Sequence, residues 1–130
     1  MLYVDVETFH DYFLISFLDD DGRVAHYEMF EGKHWNPWPI KEIMLKNTTV
    51  GFNSNHYDLL MIAAAIGGRD NAELKALSDR IIKSDSPAWE IAKSERLKID
   101  PEWDHIDIIN VIPGQARLKI YAARIGQPRL

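Results

Sequence analysis

The chain has 130 residues, 46% of them apolar and 27% charged, and 20 acidic against 15 basic side chains give it a net charge of −5. These values fit one soluble globular domain or a large piece of one, and exclude a disordered chain. They leave no bilayer-spanning segment, since the longest apolar stretch, 106–112, is broken by Asp107 and Asn110, and the lack of cysteine excludes a disulfide scaffold and a thiolate metal site.

The acidic balance gives the chain as a whole no electrostatic pull on nucleic acid, which argues against a DNA-coating protein. It argues less against a metal-dependent nuclease, because carboxylates are the oxygen ligands that magnesium or manganese needs. Asp5 and Glu7 stand where the apolar core of a signal peptide would have to begin, so a cytoplasmic protein is expected.

In chain order, residues 1–6 alternate and favour a first strand, and the apolar run 12–18 favours a second. Asp19-Asp20-Asp21-Gly22 predicts a hairpin turn, with a third strand over 23–30 returning beside the second. Residues 32–39 form a loop with Trp35, Trp38 and two prolines, which fits either a rim over a cleft or a cap on the core. Ile40, Ile43 and Met44 share one face of a short helix ending near Asn47, and 48–53 reads as a brief strand. A helix follows from about His56 to Ile66, closed by Gly67-Gly68.

Asp70 with Glu73 has the capping-box spacing, and Leu74, Leu77 and Ile81 form the stripe of another helix. Ser86-Pro87 predicts a further short helix to about Arg96, with serine as cap and proline at its first position. Residues 105–112 read as a buried strand broken by Pro113-Gly114, and Leu118, Tyr121, Ala122 and Ile125 mark a last helix. An antiparallel start followed by strands alternating with helices implies an α/β domain.

Two clusters carry candidate chemistry. Asp5 and Glu7, two apart on a strand, project from one face while Val4 and Val6 take the other. Paired like charges favour a compensating cation such as a divalent metal, and a solvated strand end is the plainer reading. The second cluster, Gly51-Phe52-Asn53-Ser54-Asn55-His56-Tyr57-Asp58, lies at a strand-to-helix junction. There Asp58 either caps amide donors or faces a metal above the sheet edge. Asn53 suits a turn or a substrate contact, Tyr57 a core position or a stacking platform, and His56 the approach of a phosphate.

Together the clusters resemble the DEDD-type (DnaQ-like) 3′–5′ exonucleases. Tyr3-Val4-Asp5-Val6-Glu7-Thr8 is similar to the first motif of that family, an apolar strand bearing Asp-x-Glu-Thr. Asn53-Ser54-Asn55-His56-Tyr57-Asp58 is similar to the second, and His105-Ile106-Asp107 with Leu118-Lys119 resembles the strand and helix that come next. Phage and bacterial exonucleases are the nearest relatives on this comparison. The resemblance implies a ribonuclease-H-like mixed sheet with antiparallel first strands and flanking helices, incomplete at its C-terminal end. It implies one partial exonuclease domain over 1–130, with a helical insertion near 70–96.

It further implies two magnesium or manganese ions, with Asp5 bridging both, Glu7 orienting the attacking water and Asp58 supporting the second. Thr8, Asn53, His56 and Tyr57 would meet a DNA 3′ end, single-stranded where it enters, and Asp107 and Lys119 would support the site from behind. The product would be a nucleoside 5′-monophosphate, the location the cytoplasm (the host's, for a phage protein), and association with replication or repair proteins would follow.

The family also needs a fourth carboxylate, four residues after a tyrosine or histidine. Tyr121 is followed at that spacing by Ile125, so the motif is missing from this sequence. The expectation is a parent protein that hydrolyses DNA and a chain that is weak or inert by itself. The alternative is a catalytically incomplete nuclease-fold module that binds nucleic acid or protein.

Overall fold

The computed structural model describes residues 1–110, the last of them through its backbone. Strands β1 (Leu2–Phe9), β2 (Tyr12–Leu18) and β3 (Val24–Met29) form an antiparallel meander. Its second turn is built as the sequence predicts. The Asp19 carboxylate accepts the amides of Asp21 and Arg23, each at 2.9 Å, and Gly22 takes the positive φ of 85° that a side chain would oppose.

Alternation along the meander divides the sheet into two faces. Val4, Val6, Phe13, Ile15, Phe17 and Met29 enter the core, while Asp5 and Glu7 lie across the strands from Ser16 and Leu14 on the opposite face. β1 extends to Phe9, beyond the end expected at Val6, because Glu7 and Thr8 pair with Leu14 and Phe13.

After the meander come α1 (Trp38–Lys46), β4 (Thr48–Gly51), α2 (Asp58–Ile66), α3 (Asn71–Lys83), α4 (Ala88–Ser94) and β5 (Asp104–Asp107), ending in a 3-10 turn over Ile108–Asn110. β4 runs parallel to β1 and β5, and the sheet order is β3-β2-β1-β4-β5. A mixed sheet in this order, with antiparallel first strands and helices packed against it, is a ribonuclease-H-like architecture. α2 is buried from Asp58 to Ala65, as a helix apolar on every side must be. All four helices contribute to the cluster built on Val4, Phe13 and Ile15.

Several expected boundaries move. Pro87 caps α4, and Ser86 instead donates its amide to the Ser84 hydroxyl. The strand expected over 105–112 ends at Asp107, where the carboxylate turns back to the amide of Ile109, and the final helix with Lys119 lies outside the described residues. In the tryptophan loop, Trp35 donates to the carbonyl of Ala65 and sets its edge on Phe13, so it caps the core. Trp38 opens α1 and is exposed.

A candidate carboxylate site at the sheet edge

The pairing of β1 with β4 covers only Leu2 with Thr49 and Tyr3 with Val50. β4 ends at Gly51, so β1 continues past it with no strand on that side among the described residues. The 51–58 turn fills the gap. A Cβ on Gly51 would lie 2.6 Å from the Cβ and Oγ of Ser54, so only glycine lets the chain turn back this tightly. Asn53 then takes a φ of 53°, a left-handed conformation that asparagine tolerates better than most residues.

This turn delivers Asp58 to the flank of β1. The backbone amide of Val6, the residue between Asp5 and Glu7, donates to the Asp58 carboxylate, and Asp58 is only 6% exposed. Burial pushes its pKa up to about 7 and the charge of Asp107 pushes the same way, while the amide bonds oppose them.

Asp107, 4% exposed, is held by two amides, from Asn55 to Oδ2 at 2.9 Å and from Ile109 to Oδ1 at 3.1 Å. It thus ties the turn to β5. Asp58 and Asp107 form a buried acidic pair beneath the turn.

Asp5 and Glu7 occupy the other face of β1, where Glu28 also gathers. There the Tyr12 hydroxyl donates to Glu28 at 2.6 Å. Its pKa rises to about 12, through burial first, then the hydrogen bond and charge of Glu28, then the charge of Glu7.

Thr8 and Tyr57 meet directly, the Tyr57 hydroxyl donating to Thr8 Oγ1 at 3.0 Å and sharing a 2.7 Å bond with the buried Ser78 of α3. The ring of Tyr57 packs on the core, as its amphipathic position allows. His56 is exposed. Asn53, His56 and Tyr57 line one wall of an open cleft of about 470 Å³, and Ile81, Ile82 and Ser84 at the end of α3 line another.

Sequence reasoning missed a second polar network. His105 is hydrogen-bonded through Nδ1 to Thr49 at 2.7 Å and through Nε2 to Ser54 at 2.5 Å. Burial lowers its pKa against the opposing charges of Asp107 and Asp104. A neutral imidazole between two hydroxyls locks β4, β5 and the turn together. The signal was the two-residue spacing of His105 and Asp107, which puts both on the face that meets Ser54. Nothing in the pattern of α3 marked Ser78.

Asp5, Glu7 and Asp58 offer the hard oxygen donors that magnesium or manganese takes. Yet among the described residues no group of three or more histidine, aspartate or glutamate side chains is gathered to hold a metal ion. Also among the described residues, no helix is long and apolar enough to cross a membrane.

The fold thus defines the class, a ribonuclease-H-like α/β domain with acidic residues at the end of its central strand. The chain matches no protein-family model, no curated protein and no solved structure.

Proposed function

We propose that this chain is a nuclease-fold module with an incomplete catalytic centre, and that it holds the 3′ end of a nucleic-acid strand. One observation carries the reading: among the described residues no group of three or more histidine, aspartate or glutamate side chains gathers to hold a metal ion. The cleft beside Asn53, His56 and Tyr57 has apolar walls and polar donors suited to a terminal base.

A second reading is favoured by the anchoring of Asp58 on the amide between Asp5 and Glu7. It is a metal-dependent 3′–5′ exonuclease that releases nucleoside 5′-monophosphates from DNA, with magnesium or manganese bound when the centre is complete. One experiment separates the two. A 5′-fluorescein single-stranded DNA is titrated with the chain in manganese buffer, reading polarisation for binding and chromatography for released nucleotide. Binding without release is expected. Absence of binding would overturn the module, and release that Asp5→Asn abolishes would establish the exonuclease.

A further inference from the structure

A separate cavity lies away from these carboxylates. It has a volume of about 510 Å³ and sits between α1, the C-terminal end of α2 and the 96–103 loop. Asp58 opens α2 and Ile66 closes it, so the nine residues of the helix separate the two places by about 13 Å. The volume is within the range of small-molecule sites.

Its chemistry is the reverse of the chain's. Lys41, Arg69, Arg96 and Lys98 line it with one acid, Asp100, in a protein of net charge −5. Arg69 is matched by Glu95 at 2.9 Å, and Asp100 is occupied by the amide of Glu102. Lys41, Arg96 and Lys98 make no ion pair among the described residues, and the Lys41 ammonium lies 6.0 Å from the centre of the Trp38 ring. The floor is apolar, formed by Leu45, Ala63, Ile66, Leu97 and Trp103.

The C-terminal end of α2 brings the negative end of its dipole here, with its carbonyls occupied, Ala63 by Gly67, Ala64 by Arg69, and Ala65 by Gly68 and the Trp35 indole, so the attraction for an anion comes from the cationic side chains. Arg96 has a φ of 58° just past the end of α4, a position at which glycine is the usual residue. Arg96 thus lines the cavity from a position where the backbone alone would favour no side chain. Such local strain is characteristic of binding positions.

We propose that this cavity binds a small organic phosphate, its apolar body on the Leu97 and Trp103 floor and its phosphate between Arg96, Lys98 and Lys41. The proposal is independent of the reading of the carboxylate edge. A free phosphate would satisfy the cations but leave the floor uncovered, so an aromatic or nucleoside phosphate is the ligand class the two halves select together.

The test is calorimetric titration of the chain with adenosine 5′-monophosphate and, separately, with inorganic phosphate, following the Trp103 indole signal by NMR. Arg96→Gly combined with Lys98→Ala is the variant, because glycine keeps the left-handed backbone, and circular dichroism confirms its fold. The expected result is adenosine monophosphate binding that shifts the Trp103 signal, exceeds inorganic phosphate at least tenfold, and weakens at least tenfold in the variant. Asp58→Asn should leave it intact. The proposal is overturned by no binding at millimolar ligand, by equal affinity for inorganic phosphate, or by undiminished affinity in the folded variant.

Discussion

Asp58 is the residue whose surroundings make the sharpest prediction. Its folded pKa of about 7 lies above the ordinary 3.8, so the folded state favours the protonated carboxyl. Its contribution to stability is complete below 3.8 and is lost as pH rises through about 7. Asparagine does not titrate and can still accept from the Val6 amide. Asp58→Asn should therefore change stability little at pH 4 and raise it by on the order of 3 kcal/mol at pH 8. Urea unfolding in EDTA across that range checks this, and a difference that stays flat with pH would show that Asp58 is not held in a desolvated site. Gly51 supplies a second residue-scale case. Its missing Cβ makes room for Ser54, so Gly51→Ala should destabilise by about 1–3 kcal/mol and broaden the His105 ring signals in NMR. At this scale the sequence displayed the carboxylates but not their arrangement. Asp5, Glu7, Asp58 and Asp107 were visible as carboxylates in an apolar context. The division of the first two from the buried pair depends on where β4 stops, and the spacing from Gly51 to Asp58 does not reveal it.

At the scale of elements, the most legible pieces were those with a local chemical signal. The Asp19 turn and the box at Asp70 are set by side chains within four residues of the amides they hold. In the box, Glu73 N donates to Asp70 at 2.9 Å and Asp70 N donates to Glu73 at 3.1 Å. β2 was legible because Tyr12 to Leu18 is an apolar run interrupted only by Ser16. The start of α4 was less so, because serine and proline compete for the cap and the proline takes it. Least legible was what joins α3 to α4. Glu95, just past α4, is bonded to Arg69 at 2.9 Å and also to Arg80 of α3, a convergence of positions 15 and 26 residues apart that no local pattern announces. Burial raises its pKa, but bonds from the two arginines outweigh this and hold it below the ordinary 4.5. Its contribution is thus present above 4.5 and lost as pH falls through the lower folded value. Glu95→Gln should destabilise by roughly 1–2 kcal/mol at pH 7 and by less near pH 3. Thermal unfolding of both proteins at the two pH values would reveal a tether of a different kind if the deficit were the same in each.

At the scale of the whole molecule, the question is whether the helices over 70–96 behave as an appendage or as part of one cooperative unit. Leu74, Leu77 and Ile91 belong to the same buried cluster as Val4, Phe13 and Leu60, so the apolar stripe of α3 closes the core of the sheet. The polar contacts agree, since Ser78 of α3 reaches Tyr57 at 2.7 Å, and Tyr57 reaches Thr8 of β1 at 3.0 Å. An appendage would unfold first and leave the sheet standing, whereas elements that share a core lose their stability together. Leu77 is the discriminating position, because it is 2% exposed and lies on the core stripe of α3. Leu77→Ala should cost about 2–5 kcal/mol. Far-ultraviolet circular dichroism and tryptophan fluorescence should shift to lower urea together, because Trp35 is packed on Phe13 of β2 and reports the sheet. If the helical signal moved while the fluorescence transition stayed in place, α3 and α4 would be a separable subdomain. The cleft beside Tyr57, which needs a wall from α3, would then open and close independently of the carboxylates at its edge.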